Sequence, residues 1–247
     1  MVVNSIKNIS LVESIRFELE KVWSAPYVGL TLMLLILGSP GAAAPMEVQE
    51  SAFEIALSSI GNFKPLFLCL ITILTFANSF GRDIEQDVLM GELTLPVRKE
   101  TIFTIKFIIN FLVILLVDFI SILFSTWIIT ASIPLIPIMS MVLVDAMSLL
   151  LIASVTILMS IILKSRFGAV IVAIAIYFLE NILLQNVSLM ISTANPPNIN
   201  PAYILLKLIL LGEITVYTLG ILFLHLLLPL ALLSFAFFFM KEVLQLD

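Results

Sequence analysis

The sequence predicts an all-α, polytopic membrane protein with six transmembrane helices, and three observations carry that prediction. Hydrophobic residues make up 61% of the 247 positions and charged residues only 12%, far from the balance of a soluble domain. Several apolar runs exceed the roughly 18 residues needed to cross a bilayer. The charges that remain are gathered, nine of them in one insert from Ser79 to Lys106 that separates two long apolar runs. One amphipathic helix before the first span and another inside the insert complete the expected architecture, a single transmembrane domain over 1–247.

The stretch 5–24 reads as a helix lying on the membrane surface. Val12, Ile15, Leu19 and Val22 form its apolar stripe, while Glu13, Arg16, Glu20 and Lys21 face water. Trp23 and Tyr27 suit the interface that follows. The first span is expected over about 22–38, ended by Ser39-Pro40-Gly41 and followed by an acidic loop with Glu47, Glu50 and Glu54. No small-residue cleavage site precedes this run, so no cleaved leader is expected. The second span covers about 65–80 and enters the insert; the third, about 102–133, is long enough to cross with tilt. Pro134 and Pro137 mark an uncharged turn before a fourth span over about 139–163. Lys164-Ser165-Arg166 is a tight polar turn, and the fifth span covers about 168–190. A polar loop from Ser192 to Pro201 then leads to an apolar helix at 202–211, too short to cross. It is expected either to dip into the outer leaflet or to lie flat on the surface. The sixth span covers about 216–240.

Counting basic residues orients the bundle. Lys7, Arg16, Lys21, Arg82, Arg98, Lys99, Lys106, Lys164, Arg166 and Lys241 fall on one side, against Lys64 and Lys207 on the other. The positive-inside rule makes that side cytoplasmic, with both termini and the insert in the cytoplasm of a multi-pass cell-membrane protein. Within the insert, Ile84, Val88 and Leu95 recur at helical spacing with Leu89 and Leu93 beside them, and Asp83, Glu85, Asp87 and Glu92 take the other faces. A short amphipathic helix over 82–95, closed by Pro96, is therefore held at the membrane face within reach of a soluble partner.

The order of residues in this insert resembles the signature between the second and third spans of ABC-2 type exporter permeases. Asp83 and Glu85 fall on the family's paired acids and Leu89 on its leucine. Thr94, Pro96 and Lys99 fall on its Ser-Pro-Arg turn, and Ile102 and Lys106 on the last Ile and Lys. Asp87 and Val88 stand where the family has Gly and Thr, and Lys99 replaces the Arg. The resemblance implies that 82–95 is a coupling helix and 5–24 an elbow helix. It implies that Asp83, Glu85, Leu89 and Glu92 contact a separate cytoplasmic ABC ATPase, that Pro96 and Lys99 fix the turn, and that Lys106 anchors the third span at the headgroups. ATP and Mg would then be bound by that partner, and this chain would pair with a second copy or a paralogue. No Gly-x-x-x-x-Gly-Lys-Ser/Thr occurs in the chain, so it is not itself expected to be an enzyme or to bind a cofactor, and no nucleic-acid partner is expected.

Acids inside spans cost a few kcal/mol or more each unless paired, hydrated or neutralised. Asp118 lies twelve residues after Lys106, about 18 Å along a helix and near the midplane, with Ser121 and Ser125 on its face. A buried structural partner is the expectation for it. Glu180 borders a stripe of Tyr177, Asn181, Gln185 and Ser188, and Thr72, Thr75 and Ser79 form a milder stripe on the second span. In the resembled family the second and fifth spans line the substrate path, which makes Thr72, Thr75, Ser79, Tyr177, Glu180, Asn181 and Gln185 its candidates here. Interhelical hydrogen bonding is the simpler use of the Ser and Thr residues. Asp145 lies nearer the outer end of the fourth span. His225 stands without a second ligand at metal spacing, and Cys69 without a disulfide partner, so packing roles are expected for both and no metal site is. Two other classes fit the same chain. One is an ion-coupled carrier or channel using Asp118 and Glu180, and the other a non-transporting membrane anchor that recruits a complex through the insert.

Overall fold

The computed structural model describes residues 15–16, 19–20, 64–86, 99–130, 135–191, 204–205, 208–209, 212 and 216–243. Among these residues the protein is all-helical, and four helices are long and apolar enough to cross a membrane. The expected first span lies outside the described residues. So do most of the 5–24 helix, whose described residues are helical and joined by an exposed Arg16–Glu20 ion pair at 2.9 Å, and most of the 202–211 helix.

Helix α1 (Lys64–Phe76) opens with Pro65 in its first turn, where the missing N–H is not needed. It runs through a π-helical turn (Ala77–Gly81) into α2 (Arg82–Glu85), and Gln86 turns the chain away. Helices α3 (Lys99–Thr130), α4 (Leu135–Leu163), α5 (Arg166–Ile191) and α6 (Val216–Val243) follow. The 32 residues of α3 measure about 48 Å, enough to cross obliquely or to project beyond the hydrocarbon. Pro137 sits in the first turn of α4, whereas Pro229 interrupts the hydrogen-bond ladder inside α6.

Helix α4 is the hub, packing against α1, the π turn, α3, α5 and α6. Its buried Ser154, Thr156 and Ser160 are small, so neighbouring backbones come close, and each hydroxyl donates back to its own helix. The main core joins Leu68, Phe76 and Phe80 of α1 and the π turn, Phe103 and Ile114 of α3, Ile157 and Ile161 of α4, and Ala236 and Met240 of α6. An aromatic chain runs through it, Phe111–Phe107–Phe76–Phe80–Phe103–Phe237, with centroids 5.3–6.5 Å apart. This core gathers the carboxyl ends of α1, α4 and α6 with the amino end of α3, the end of the bundle at which Gln86 and Lys99 lie.

A second cluster, Ile122, Ile138, Met141 and Val144, closes the opposite end of α3 and α4 and receives Leu205 and Leu208. A third joins Cys69 and Ile73 to Leu151, Ile152 and Val155 and to Ala173 of α5. Burial is uneven. The spanning windows of α1 and α4 are each 61% buried and that of α6 only 11%, with Phe223, Leu224, Phe235 and Phe238 outward. So much unpartnered apolar surface would be untenable in water and is consistent with lipid around the bundle.

Candidate functional site

The polar residues of the bundle converge where segment 87–98 leaves α2 and returns as α3. Helix α1 with its continuation carries two polar faces there. Thr72, Thr75, Ser79 and Asp83 recur at spacings of three and four and turn inward, all buried. Asn78, Gly81 and Glu85, at the same spacings, face α5. The π turn lies between Phe76 and Arg82, and its extra residue per turn sets the register in which both faces find partners.

The inward face meets α3. Ser79 Oγ accepts a hydrogen bond from Asn110 Nδ2 at 3.0 Å, and the same amide reaches the Lys106 carbonyl at 2.6 Å. One turn before Asn110, Lys106 Nζ donates to Asp83 Oδ2, an ion pair whose side chains are only 1% and 2% exposed. Taking both charges out of water is unfavourable, and their direct charge-assisted contact offsets that desolvation.

The outward face meets the start of α5. The Arg166 amide donates to Glu85 Oε1 at 2.6 Å, placing a carboxylate on the positive end of the α5 dipole. Arg166 Nη1 donates to Asn78 Oδ1 at 3.0 Å, and the guanidinium lies 4.9 Å from the centre of the Phe167 ring. Ser165 caps α5, its Oγ accepting from the Gly168 amide at 3.3 Å and its carbonyl from the Ala169 amide. Lys164 makes the turn from α4 with φ of 46°, a left-handed conformation unusual for a side-chain-bearing residue. Gly81 is needed at the crossing: a Cβ there would lie 2.9 Å from Arg166 Cα and 3.3 Å from Ser160 Oγ.

These contacts locate several residues of the charged insert. Arg82–Glu85 is the last helical turn of the span Pro65–Glu85, and Asp83 and Glu85 on it contact α3 and α5; the rest of the expected 82–95 helix beyond Gln86 lies outside the described residues. Asp83, expected on a partner's surface, is buried against Lys106. Lys106, expected at the headgroups, is turned into the bundle by the same pair. Glu85 remains exposed, although one oxygen is already engaged. Leu89, Glu92 and Pro96 lie outside the described residues, and Lys99 is described only as the first residue of α3.

Of the expected path residues, Thr72 and Thr75 donate to the Leu68 and Ile71 carbonyls of their own helix at 2.8 and 2.7 Å. Ser79 bonds across to α3, as above. Tyr177 packs on the apolar cluster of Cys69 and Ile73, edge-on to Phe178, so α1 and α5 meet there through apolar groups. Glu180, Asn181 and Gln185 are on α5, but their side chains lie outside the described residues. Asp118 is buried on the face of α3 that also carries Lys106, Asn110 and Ser121, while Asp145 is half-buried. His225 Nδ1 lies 3.1 Å from the Ile221 carbonyl.

Asn78 and Asn110 had no place in the sequence reading, and Arg166 entered it only as a basic turn residue. Asn110 had a signal, one turn beyond Lys106 and flanked by apolar residues; continuing the Thr72–Thr75–Ser79 stripe by four would have reached Asp83. Among the described residues no group of three or more His, Cys, Asp or Glu is placed to hold a metal ion. Compared with known proteins, the chain matches no family model, and none of the curated proteins matches it.

Proposed function

We propose that this chain is the permease subunit of an ATP-driven exporter of the ABC-2 type, forming the substrate path and taking its drive from separate cytoplasmic ATPase subunits. The observation that carries this reading is the segment Ser79–Lys106 itself: in sequence an acidic start, then Pro96 and a downstream lysine, joined to one end of an apolar helical bundle. That end also holds Arg82, Lys99, Lys106, Lys164, Arg166 and Lys241, with Lys64 at the other end of α1, which supports a cytoplasmic position. Two copies, or this chain and a paralogue, would each receive an ATPase at the segment, and substrate would pass between the paired bundles. Tyr177, Glu180, Asn181 and Gln185 of α5 are the proposed polar contacts along that path. The apolar character of the spans suits an amphipathic or lipid-like substrate, a peptide or a drug.

Because Glu85 already holds the start of α5, the docking test belongs on Leu89 and Glu92. Leu89→Arg with Glu92→Arg is expected to reduce co-purification of an ATPase subunit at least tenfold while helical content stays at the parent level. Undiminished co-purification discards the docking role.

One observation favours a second reading. Lys106, Asn110, Asp118 and Ser121 form a buried polar column on α3, the feature an ion-coupled carrier would use. Transport that follows membrane potential and ignores ATP would establish that reading instead.

A further inference from the structure

We infer that Asp83, Lys106, Asn78 and Arg166 are positioning residues: together they clamp the ends of the charged segment, so that displacement of the segment moves α3 and α5 together. This rests on the exporter reading for its purpose, though not for its geometry. Asp83 and Lys106 stand on either side of the segment, 23 residues apart in sequence, and meet as a buried pair. Asn78, one π-helical turn earlier, holds the Arg166 side chain, and Glu85 takes the Arg166 amide. Between them Gly81 lies against the Arg166 backbone with no room for a methyl group. The end of α2 is thus fastened to two helices at once, through groups of opposite sequence origin. A buried ion pair is poor at adding stability over an apolar pair but good at fixing one geometry, since slippage separates two opposite charges in a medium of low dielectric. Chains of packed side chains and ion pairs of this kind are the elements through which displacement is carried between sites when they have two discrete arrangements.

The clamp is tested by distance measurement on the full chain in lipid nanodiscs, without any partner. In a Cys69→Ala background, spin labels are placed through Gln86→Cys and Glu100→Cys, both exposed positions on the two sides of the segment. The parent is expected to give one narrow distance distribution and Asp83→Asn a broad one, with the reversed pair Asp83→Lys plus Lys106→Asp narrow again. A narrow, parent-like distribution for Asp83→Asn overturns the clamp. Should Asp83→Asn fail to fold, Asn78→Ala with labels at Gln86→Cys and Ile171→Cys decides the α5 arm: broadening supports it and a parent-like distance overturns it. In membranes that also hold the ATPase, Asp83→Asn is expected to keep the ATPase bound yet lower transport per ATP hydrolysed at least fivefold. Unchanged coupling there removes the positioning role. A parent chain that binds no ATPase refutes the exporter reading while the distance result still decides the clamp.

Discussion

Replacing Lys106 with methionine is expected to destabilise the fold by about 3–5 kcal/mol, the loss typical of removing one partner from a buried ion pair. Methionine keeps most of the lysine's length and its apolar stem, so packing changes little. What changes is that the Asp83 carboxylate, 2% exposed, loses the Lys106 ammonium that offsets its desolvation. The double replacement Asp83→Leu with Lys106→Met is expected to recover most of that loss, because neither charge then needs desolvating. Unfolding of the purified full chain in mild detergent, followed by circular dichroism, measures both. A Lys106→Met protein within about 1 kcal/mol of the parent would mean that water reaches the pair and that burial is not what holds it.

Gly81→Val is also expected to destabilise the fold, by less and for a steric reason. The nearest obstacle to a Cβ is Arg166 Cα at 2.9 Å, a backbone atom that cannot rotate away as a side-chain tip could. The start of α5 would have to shift, breaking the Arg166 contacts with Glu85 and Asn78. Overpacking of this kind costs about 1–3 kcal/mol. Gly220 of α6 provides the contrast, since nothing lies within 4 Å of a Cβ built there. Gly220→Ala should raise stability by up to about 1 kcal/mol through helix propensity alone. Opposite signs for the two substitutions in the same unfolding assay are the expected result; equal tolerance at Gly81 would show that α1 and α5 do not cross so closely.

How much of this was legible in the sequence follows from the kind of signal each feature leaves. Span existence was readable because a run of apolar residues is a local property: the expected ranges 65–80, 102–133, 139–163 and 216–240 fall on the four helices long and apolar enough to cross a membrane, α1 with its continuation, α3, α4 and α6, while 168–190 falls on the helix α5. Ends were less so. The second span continues to Glu85 because Asp83 and Glu85 find partners on α3 and α5, and such long-range contacts leave no mark on local hydropathy. A charged Arg-Asp-Ile-Glu stretch reads as leaving the membrane when its cation lies 23 residues away. Arg166 counted toward orientation, but nothing in Lys164-Ser165-Arg166 announced that its backbone amide would be capped by Glu85. The Thr72–Thr75–Ser79 stripe was visible by periodicity. Its use was not, because periodicity reports a shared face and not whether that face opens on a path or on another helix. Asn110 was the residue best placed to break the tie, a lone amide one turn from Lys106.

The exporter reading is tested most directly by isolating the tagged chain from its native membrane in mild detergent and identifying by mass spectrometry what accompanies it in stoichiometric amount. The account predicts a soluble subunit carrying a Gly-x-x-x-x-Gly-Lys-Ser/Thr motif, released when Leu89 and Glu92 are replaced with arginine. Recovery of the folded, monodisperse chain without any nucleotide-binding partner would contradict it, and would make Asp118 and the buried column of α3 the place to look for ion-coupled transport.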